Sequence, residues 1–208
     1  MSLWELNAGE LLARTASGDP TPGGGSVATM TGALGLGLVC MALEVSARRR
    51  SAAAEVTALL AEARTFLERL KTHPDADVAA FEAYMASLAL PKADYAQKAE
   101  RARATGEAAL GATQAPLAAA RDLLAALHLA ERAAGLAHRS IVSDVGAGGF
   151  LLGAAVQATL LNVDINLSSL PPEARDSALN ERTELAAESL TLAAQVAHAV
   201  SLRLRPAD

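Results

Sequence analysis

Two long runs without a charged side chain constrain the fold of this chain more than any other feature. The first covers residues 27–43 and the second covers residues 145–163. Both are rich in alanine, leucine and glycine, and neither alternates polar and apolar residues as a half-buried strand does. Such runs are typical of helices that are apolar on all sides, which lie in a protein core or in a membrane.

The composition favours the core of a water-soluble helical bundle. The chain is 51% hydrophobic but 3% aromatic, so its core has to be built from alanine and leucine on closely packed helices. A membrane-spanning helix needs roughly 20 predominantly apolar residues. The first run is shorter than that, and polar side chains such as Thr29, Thr31 and Gln157 interrupt the two runs. We therefore expect no membrane insertion.

Charge and cysteine content argue against further classes of protein. The net charge of −5 is unlike that of a general nucleic-acid-binding protein, which would present a basic face. Cys40 is the single cysteine, which excludes an intramolecular disulfide and a cysteine-rich zinc site. We expect it to be a buried, inert thiol. Glu5 and Glu10 interrupt the first segment, so we expect no signal peptide and a cytoplasmic location.

Helical periodicity covers most of the remaining chain. We predict an all-α fold, a multihelical bundle with two long buried Gly/Ala-rich helices and no significant β-sheet, in a single domain over residues 1–208. The predicted helices span about residues 3–16, 26–48, 52–71, 75–88, 93–110, 113–137, 143–166 and 172–204. Pro116 falls in the first turn of the sixth helix, where proline is tolerated.

A proline- and glycine-rich stretch before the first apolar run is the first candidate site. It contains Pro22, Gly23, Gly24, Gly25 and Ser26. Consecutive glycines allow a sharp turn and a close approach to a ligand, and Ser26 is expected to cap the following helix. The N–H groups and positive dipole of that helix N-terminus could hold an anionic or electron-rich group. A tight connector is the alternative role of this stretch.

A first acidic helix start lies at Asp77. This carboxylate precedes Phe81 by four residues, which puts both side chains on one face of the predicted helix. A carboxylate beside an apolar ring could act as a general acid or base. Helix capping explains Asp75 and Asp77 equally well, so both roles stay open.

The second apolar run is polar at both ends. Ser143 and Asp144 open it, and Asn162 and Asn166 lie one helical turn apart near its other end. These side chains could stabilise the chain reversals through hydrogen bonds. Because such reversals do not require asparagine, amide contacts to a ligand are the other interpretation.

The basic and histidine residues give weaker signals. Arg49 belongs to an arginine run that follows the first long helix. The run suits the helix dipole, and its sharper interpretation is an anchor for a polyanionic substrate tail. The four histidines are scattered and do not complete a set of metal ligands. We therefore expect no metal site.

Taken together, these motifs resemble the cyclodeaminase/cyclohydrolase family of folate enzymes. That family includes the C-terminal domain of formiminotransferase-cyclodeaminase and stand-alone methenyltetrahydrofolate cyclohydrolases. The pieces that carry the resemblance occur in order: the Pro-Gly-Gly-Gly-Ser loop with its Ala/Gly helix; Asp77, Phe81 and Met85 followed by Leu90-Pro91-Lys92; Ser143-Asp144-Val145-Gly146; and Asn162-Val163-Asp164-Ile165-Asn166-Leu167. After the first buried helix the family tends to show a lysine run ending in tyrosine, whereas this chain has Arg48-Arg49-Arg50-Ser51.

The resemblance implies an all-helical homodimer that acts on one-carbon tetrahydrofolates without a cofactor. The implied reactions are hydrolysis of 5,10-methenyltetrahydrofolate to 10-formyltetrahydrofolate and conversion of 5-formiminotetrahydrofolate to 5,10-methenyltetrahydrofolate with release of ammonia. Asp77 or Asp144 would be the acid/base, and Lys92 would place positive charge near the folate carboxylates or the leaving group. The substrate would be bound by Pro22, Gly23, Gly24, Gly25, Ser26, Phe81, Ser143, Asn162, Asn166 and Arg49. A non-catalytic folate-binding or helical interaction subunit that partners a formiminotransferase is the alternative.

Overall fold

The computed structural model describes residues 1–49 and 54–205, and these residues form helices and no strand. The α-helices are α1 (Ala8–Thr15), α2 (Gly24–Ala47), α3 (Ala54–Leu70), α4 (His73–Leu88), α5 (Tyr95–Leu136), α6 (Val142–Asn166) and α7 (Pro172–Leu204). Short 3-10 turns span Leu3–Glu5 and Leu167–Ser169. The prediction of an all-α bundle is confirmed.

Helices α2 and α6 form the centre of the bundle. A Cβ atom at Gly148 would lie 2.5 Å from the carbonyl oxygen of Gly35, and one at Gly32 would lie 3.0 Å from Ala155 Cβ. Later residues of α2 therefore contact earlier residues of α6, and the two helices run antiparallel. Glycine and alanine let the helices approach this closely, and the prediction of two long buried Gly/Ala-rich helices is confirmed.

Helices α3, α5 and α7 pack around this pair and complete an aliphatic core. Its largest fully buried side chains include Leu36, Leu43, Leu59, Leu117, Leu123, Leu127, Leu152 and Leu160. Cys40 lies in the same core, as expected. Burial raises the pKa of its thiol, against a smaller opposing effect of the Arg64 charge. The thiol is therefore a packing group and a poor nucleophile.

Helix α5 differs from the prediction, because it continues through Pro116 instead of ending before it. The sequence predicts two helices here, over about residues 93–110 and 113–137. Pro116 is instead buried inside one helix of 42 residues. It has no N–H to donate to the carbonyl oxygen of Ala112, four residues earlier. The side-chain amide of Asn166 donates to that oxygen at 2.9 Å, which compensates for the missing intrahelical bond.

One apolar surface of α2 and α6 is left uncovered by the rest of the described chain. Leu34, Phe150, Leu161 and Ile165 are 63%, 62%, 63% and 76% exposed. We call this surface the α2/α6 face; it consists of Val27, Thr31, Leu34, Leu38 and Met41 on α2 and Phe150, Ala154, Ala158, Leu161 and Ile165 on α6. By length and composition, three described helical segments could cross a membrane: α2, α6 with the turn that follows it, and α7.

Candidate active site

A cavity of about 420 Å³ lies where α2 begins. Residues 20–25, which we call the glycine loop, form one wall. Helix α4 forms a second wall, and the C-terminal end of α6 forms a third. The structure thus brings together most of the residues that the motifs singled out, namely Gly23, Gly24, Gly25, Asp77, Phe81, Asn162 and Asn166.

Asp77 is held against the first turn of α2 by Ser26. The fully buried Ser26 hydroxyl lies 2.7 Å from Asp77 Oδ2, to which it donates, and 3.1 Å from the carbonyl oxygen of Pro74. A Cβ atom at position 25 would lie 2.7 Å from Asp77 Cγ, closer than real Cβ contacts allow. Any larger residue at position 25 would therefore have to displace the Asp77 carboxylate, and the loop and Asp77 form one structural unit.

The start of α2 corrects two expectations about the loop. Gly23, not Ser26, is the N-cap, and no side chain caps the first turn. Ser26 lies within the helix and bonds to α4 instead. Because the carboxylate of Asp77 already lies at this positive helix end, a second anion is disfavoured there. The cavity is better suited to a cationic or neutral group than to the anion that the loop alone suggested.

The two asparagines differ in how firmly they are held. Asn166 Nδ2 donates to the carbonyl oxygens of Ala112 and Asn162, at 2.9 and 2.8 Å. Asn162 Nδ2 has more distant acceptors, the carbonyl oxygens of Ala158 and Thr159 in its own helix, at 3.4 and 3.5 Å. The Asn162 amide can therefore turn toward a ligand at little cost, whereas the Asn166 amide is fixed.

Apolar and aromatic side chains that were not assigned to the site complete the cavity. Tyr84, Met85 and Ile165 line it, and the Tyr84 hydroxyl lies 3.4 Å from Ser169 Oγ. Projecting the helical face forward from Asp77 by seven and eight residues could have found the first two. Lysine and arginine are absent from the part of the wall that the structure describes. Such a cavity suits a flat, nitrogen-rich ring that carries positive charge.

Comparison with known proteins assigns the chain to a family. The family model described as formiminotransferase-cyclodeaminase matches residues 7–188. The chain belongs to this family. The match includes all the residues that line the cavity.

The similar proteins carry two related activities in their names. A methenyltetrahydrofolate cyclohydrolase of Methylorubrum extorquens is 33% identical over 178 residues, 84% of this chain and 86% of that protein. A formimidoyltransferase-cyclodeaminase of Sus scrofa is 31% identical over 179 residues, 84% of this chain but 33% of that protein. A crystal structure of formiminotetrahydrofolate cyclodeaminase from Thermotoga maritima covers 96% of this chain, and this chain covers 98% of it, with a TM-score of 0.84 at 22% identity. The last likeness shows a shared fold.

In this member of the formiminotransferase-cyclodeaminase family, the second acidic candidate lies away from the cavity. Ser143 and Asp144 are in the first turn of α6, whereas Asn162 is near its last turn. At about 1.5 Å per residue, Asp144 and Asn162 are about 27 Å apart along the helix. Within a single chain Asp144 therefore does not line the cavity that contains Asp77, because the antiparallel packing of α2 and α6 places the two carboxylates at opposite ends of the bundle.

The other predicted residues also lie outside the cavity wall. Arg49 follows the far end of α2, where its guanidinium lies 3.3 Å from Ser140 Oγ; Arg50 lies outside the described residues. Lys92 is exposed in the turn between α4 and α5. Pro22 lines two neighbouring cavities on the other sides of the glycine loop.

Proposed function

We propose that this chain is a one-carbon folate enzyme. It hydrolyses 5,10-methenyltetrahydrofolate to 10-formyltetrahydrofolate, or converts 5-formiminotetrahydrofolate to 5,10-methenyltetrahydrofolate with release of ammonia, or does both. The observation that carries the proposal is the Asp77 carboxylate, fixed by Ser26 at the glycine loop in a cavity that also presents Asn162 and Asn166. The names of its relatives support these two reactions.

In the cyclohydrolase reaction, a water oxygen bonds to the carbon between N5 and N10, which shares the positive charge of the methenyl bridge. Asp77 stabilises this cation and accepts the proton that water loses as the C–O bond forms. The bond from that carbon to N5 then breaks as the new hydroxyl group loses its proton and becomes the formyl C=O, and N5 takes up a proton. The products are 10-formyltetrahydrofolate and one released proton.

In the cyclodeaminase reaction, the formimino group enters in its protonated, cationic form, and N10 attacks its carbon. Asp77 carries the proton of N10 to the departing nitrogen, and ammonia leaves as its bond to carbon breaks. Both reactions pass through a tetrahedral carbon between nitrogens, so one carboxylate serves both. Neither reaction transfers electrons, and we propose that the folate is converted without a cofactor.

The other side chains would bind the substrate. Asn162 and Asn166 would hydrogen-bond the pterin ring, and Phe81 would pack against it. For the anionic glutamate end we propose Lys92, in the exposed turn that follows α4. Arg49 lies at the opposite end of the bundle, and it would reach a substrate in this cavity only from a second copy of the chain.

Turnover by the purified protein tests this proposal. Loss of 5,10-methenyltetrahydrofolate absorbance measures hydrolysis, and ammonia release from 5-formiminotetrahydrofolate measures deamination. Asp77→Asn keeps the shape of the side chain but removes the base. We expect it to lower kcat by about 10²–10⁴-fold with unchanged helix content. No turnover of either substrate by the wild-type protein would refute the proposal.

Asp144→Asn is the matched comparison, because Asp144 is the second acidic candidate from the sequence. Since it lies at the far end of α6, we expect kcat to be unchanged. A loss as large as that of Asp77→Asn would assign the acid/base role to Asp144 as well, in a site shared by two chains.

We further propose that the enzyme is a homodimer in the cytoplasm. The α2/α6 face supports self-association, because contiguous exposed apolar surface marks contacts with other proteins. In such a dimer the membrane-length helices α2 and α6 would be covered by protein and not by lipid. The single buried Cys40 is in keeping with a reducing compartment. Nucleic acid is not a proposed partner, given the net charge of −5.

A formiminotransferase is the partner of the alternative proposal. The chain spans 33% and 29% of the length of two formimidoyltransferase-cyclodeaminases, from Sus scrofa and Gallus gallus, which supports a link to that second activity. If the chain is a non-catalytic subunit, calorimetry will detect tetrahydrofolate binding without turnover. Addition of a formiminotransferase would then produce a larger complex by size-exclusion chromatography.

A further inference from the structure

The side chain of Asn166 joins two helices at the cavity wall. Pro116 leaves the Ala112 carbonyl oxygen of α5 without its usual intrahelical donor. Asn166 Nδ2, near the end of α6, donates to that oxygen at 2.9 Å and to the Asn162 carbonyl oxygen at 2.8 Å. Ala112 and Asn166 both line the cavity, so this contact fixes the wall that α5 and α6 share.

The two contacts also determine which way the amide points. Both neighbours of Asn166 Nδ2 are backbone carbonyl oxygens, which accept hydrogen bonds and cannot donate them. The NH₂ group must therefore face them, and the opposite orientation of the amide would place three acceptors together. The group that remains is Asn166 Oδ1, an acceptor for which the described residues supply no donor.

We propose that Asn166 is a positioning and specificity residue. Its side-chain nitrogen donates the hydrogen bond that Pro116 cannot donate to the Ala112 carbonyl oxygen. This contact holds Asn166 Oδ1 in place as an acceptor for an N–H group of the ligand. This inference rests on the proposed folate function, because the 2-amino group and N3–H of a pterin form such a donor edge. A ring that presents acceptors at this point is rejected, since Asn166 cannot turn its amide without losing both backbone contacts.

A cycle of four proteins tests the contact with α5: wild type, Pro116→Ala, Asn166→Ala and the double variant. The Pro116→Ala substitution restores an N–H donor for the Ala112 carbonyl oxygen, so Asn166 becomes dispensable for that bond. We expect Asn166→Ala to lower Tm by about 3–8 °C when Pro116 is present, and by less than half as much in the Pro116→Ala background. Asn162→Ala is the control, and its effect should be the same in both backgrounds.

Calorimetric titration with tetrahydrofolate tests the acceptor. Asn166→Ala should weaken binding by about 10-fold, and Pro116→Ala should not restore that affinity, because Oδ1 is still missing. Recovery of both Tm and affinity in the double variant would reduce Asn166 to a structural role. An equal loss of Tm in both backgrounds would show that Asn166 does not compensate for Pro116.

Two further outcomes are decisive. If Pro116→Ala does not fold, the Asn166→Asp variant provides the test instead. The carboxylate of Asn166→Asp would face two carbonyl oxygens, to which it cannot donate a hydrogen bond. Its Tm should then fall below that of Asn166→Ala, and a Tm equal to wild type would overturn the proposed contact. If the wild-type protein binds no tetrahydrofolate, the folate function and the acceptor role both fail, while the Tm cycle still decides whether Asn166 compensates for Pro116.

Discussion

At the scale of single residues, the glycine loop is shaped by a carboxylate of the protein itself. A side chain at position 25 would collide with the Asp77 carboxylate, which the Ser26 hydroxyl holds in place by a hydrogen bond. In contrast, a Cβ atom at Gly24 would meet no atom within 4 Å. The same substitution to alanine is therefore expected to have different effects at these two neighbouring glycines.

We expect Gly25→Ala to displace the Asp77 carboxylate and to lower kcat/KM by about 10²-fold, since catalysis is sensitive to displacements of about 1 Å. Gly24→Ala should lower it far less. Circular dichroism should show the same helix content for both variants, and methenyltetrahydrofolate turnover should separate them. Equal activity of the two variants would mean that Asp77 is not held by this contact.

Several residue roles could be predicted from sequence, and others could not. Asp77 and Phe81 share a helical face, which spacing alone indicates. Ser26 is expected from the sequence to cap α2 because serine is a favourable N-cap residue, but the N-cap is Gly23, three residues earlier. The contact of Asn166 with Ala112 joins residues 54 positions apart, a separation that no local pattern reveals.

At the scale of helices, α2 and α6 depend on small residues where their backbones approach. A Cβ atom at Gly148 would meet the Gly35 carbonyl oxygen at 2.5 Å and Val39 Cγ2 at 2.9 Å. Backbone cannot give way as a flexible side chain can. The helices must separate to accept any larger residue there.

Gly148→Ala should therefore destabilise the fold by about 1–3 kcal/mol, as overpacked cores do. Gly111→Ala is the matched control, because Gly111 is exposed on α5 and has open space around it. It should raise the free energy of unfolding by about 0.5–1 kcal/mol through helix propensity. Urea unfolding of both variants checks the pair, and a neutral Gly148→Ala would contradict the close packing of α2 and α6.

Helix α5 shows why element boundaries were harder to predict than element type. Pro116 is a strong signal for a helix start, and the segments predicted as two helices, about residues 93–110 and 113–137, are both helical in the structure. The signal failed because a side chain from α6 supplies the missing hydrogen bond. Such compensation depends on tertiary packing, which is not encoded near the proline.

At the scale of the whole molecule, the described chain leaves the α2/α6 face uncovered. Leu34 is near its centre and 63% exposed, while Leu190 on α7 is 61% exposed away from it. We expect the wild-type protein to have about twice the 21.3 kDa mass of one chain by light scattering. Leu34→Glu should shift it to the mass of one chain, because dimerisation would bury the new charge without a partner.

Leu190→Glu controls for the added charge and should leave the mass unchanged. A wild-type protein that is monomeric at all concentrations would exclude the dimer. A protein that stays in solution only with detergent would instead point to a membrane on this face.

The antiparallel packing of α2 and α6 could not be predicted from the sequence, and it determines which acidic residue lies at the cavity. The two acidic helix starts looked equivalent, since each precedes a long apolar helix. Because α2 and α6 run antiparallel, the start of α2 lies beside the end of α6, and Asp144 lies at the other end. The sequence motifs indicated several residues of the cavity, but not the topology that places Asp77 there and Asp144 elsewhere.

The glycine loop lies between two cavities. Pro20, Gly23 and Gly24 line both the candidate active site and a second cavity, whose opposite wall includes Val27 and Ala154 of the α2/α6 face. If the proposed dimer forms through this face and holds the loop in its substrate-binding form, substrate binding and self-association are linked equilibria, and each strengthens the other by the same factor.

Dilution of the enzyme should therefore weaken its apparent affinity for tetrahydrofolate, and saturating tetrahydrofolate should move the midpoint of dimer dissociation to lower protein concentration by a matching factor. Sedimentation with and without the ligand measures one shift, and titration at several protein concentrations measures the other. The abundance of the enzyme, and not the supply of folate alone, would then set how much of it is active.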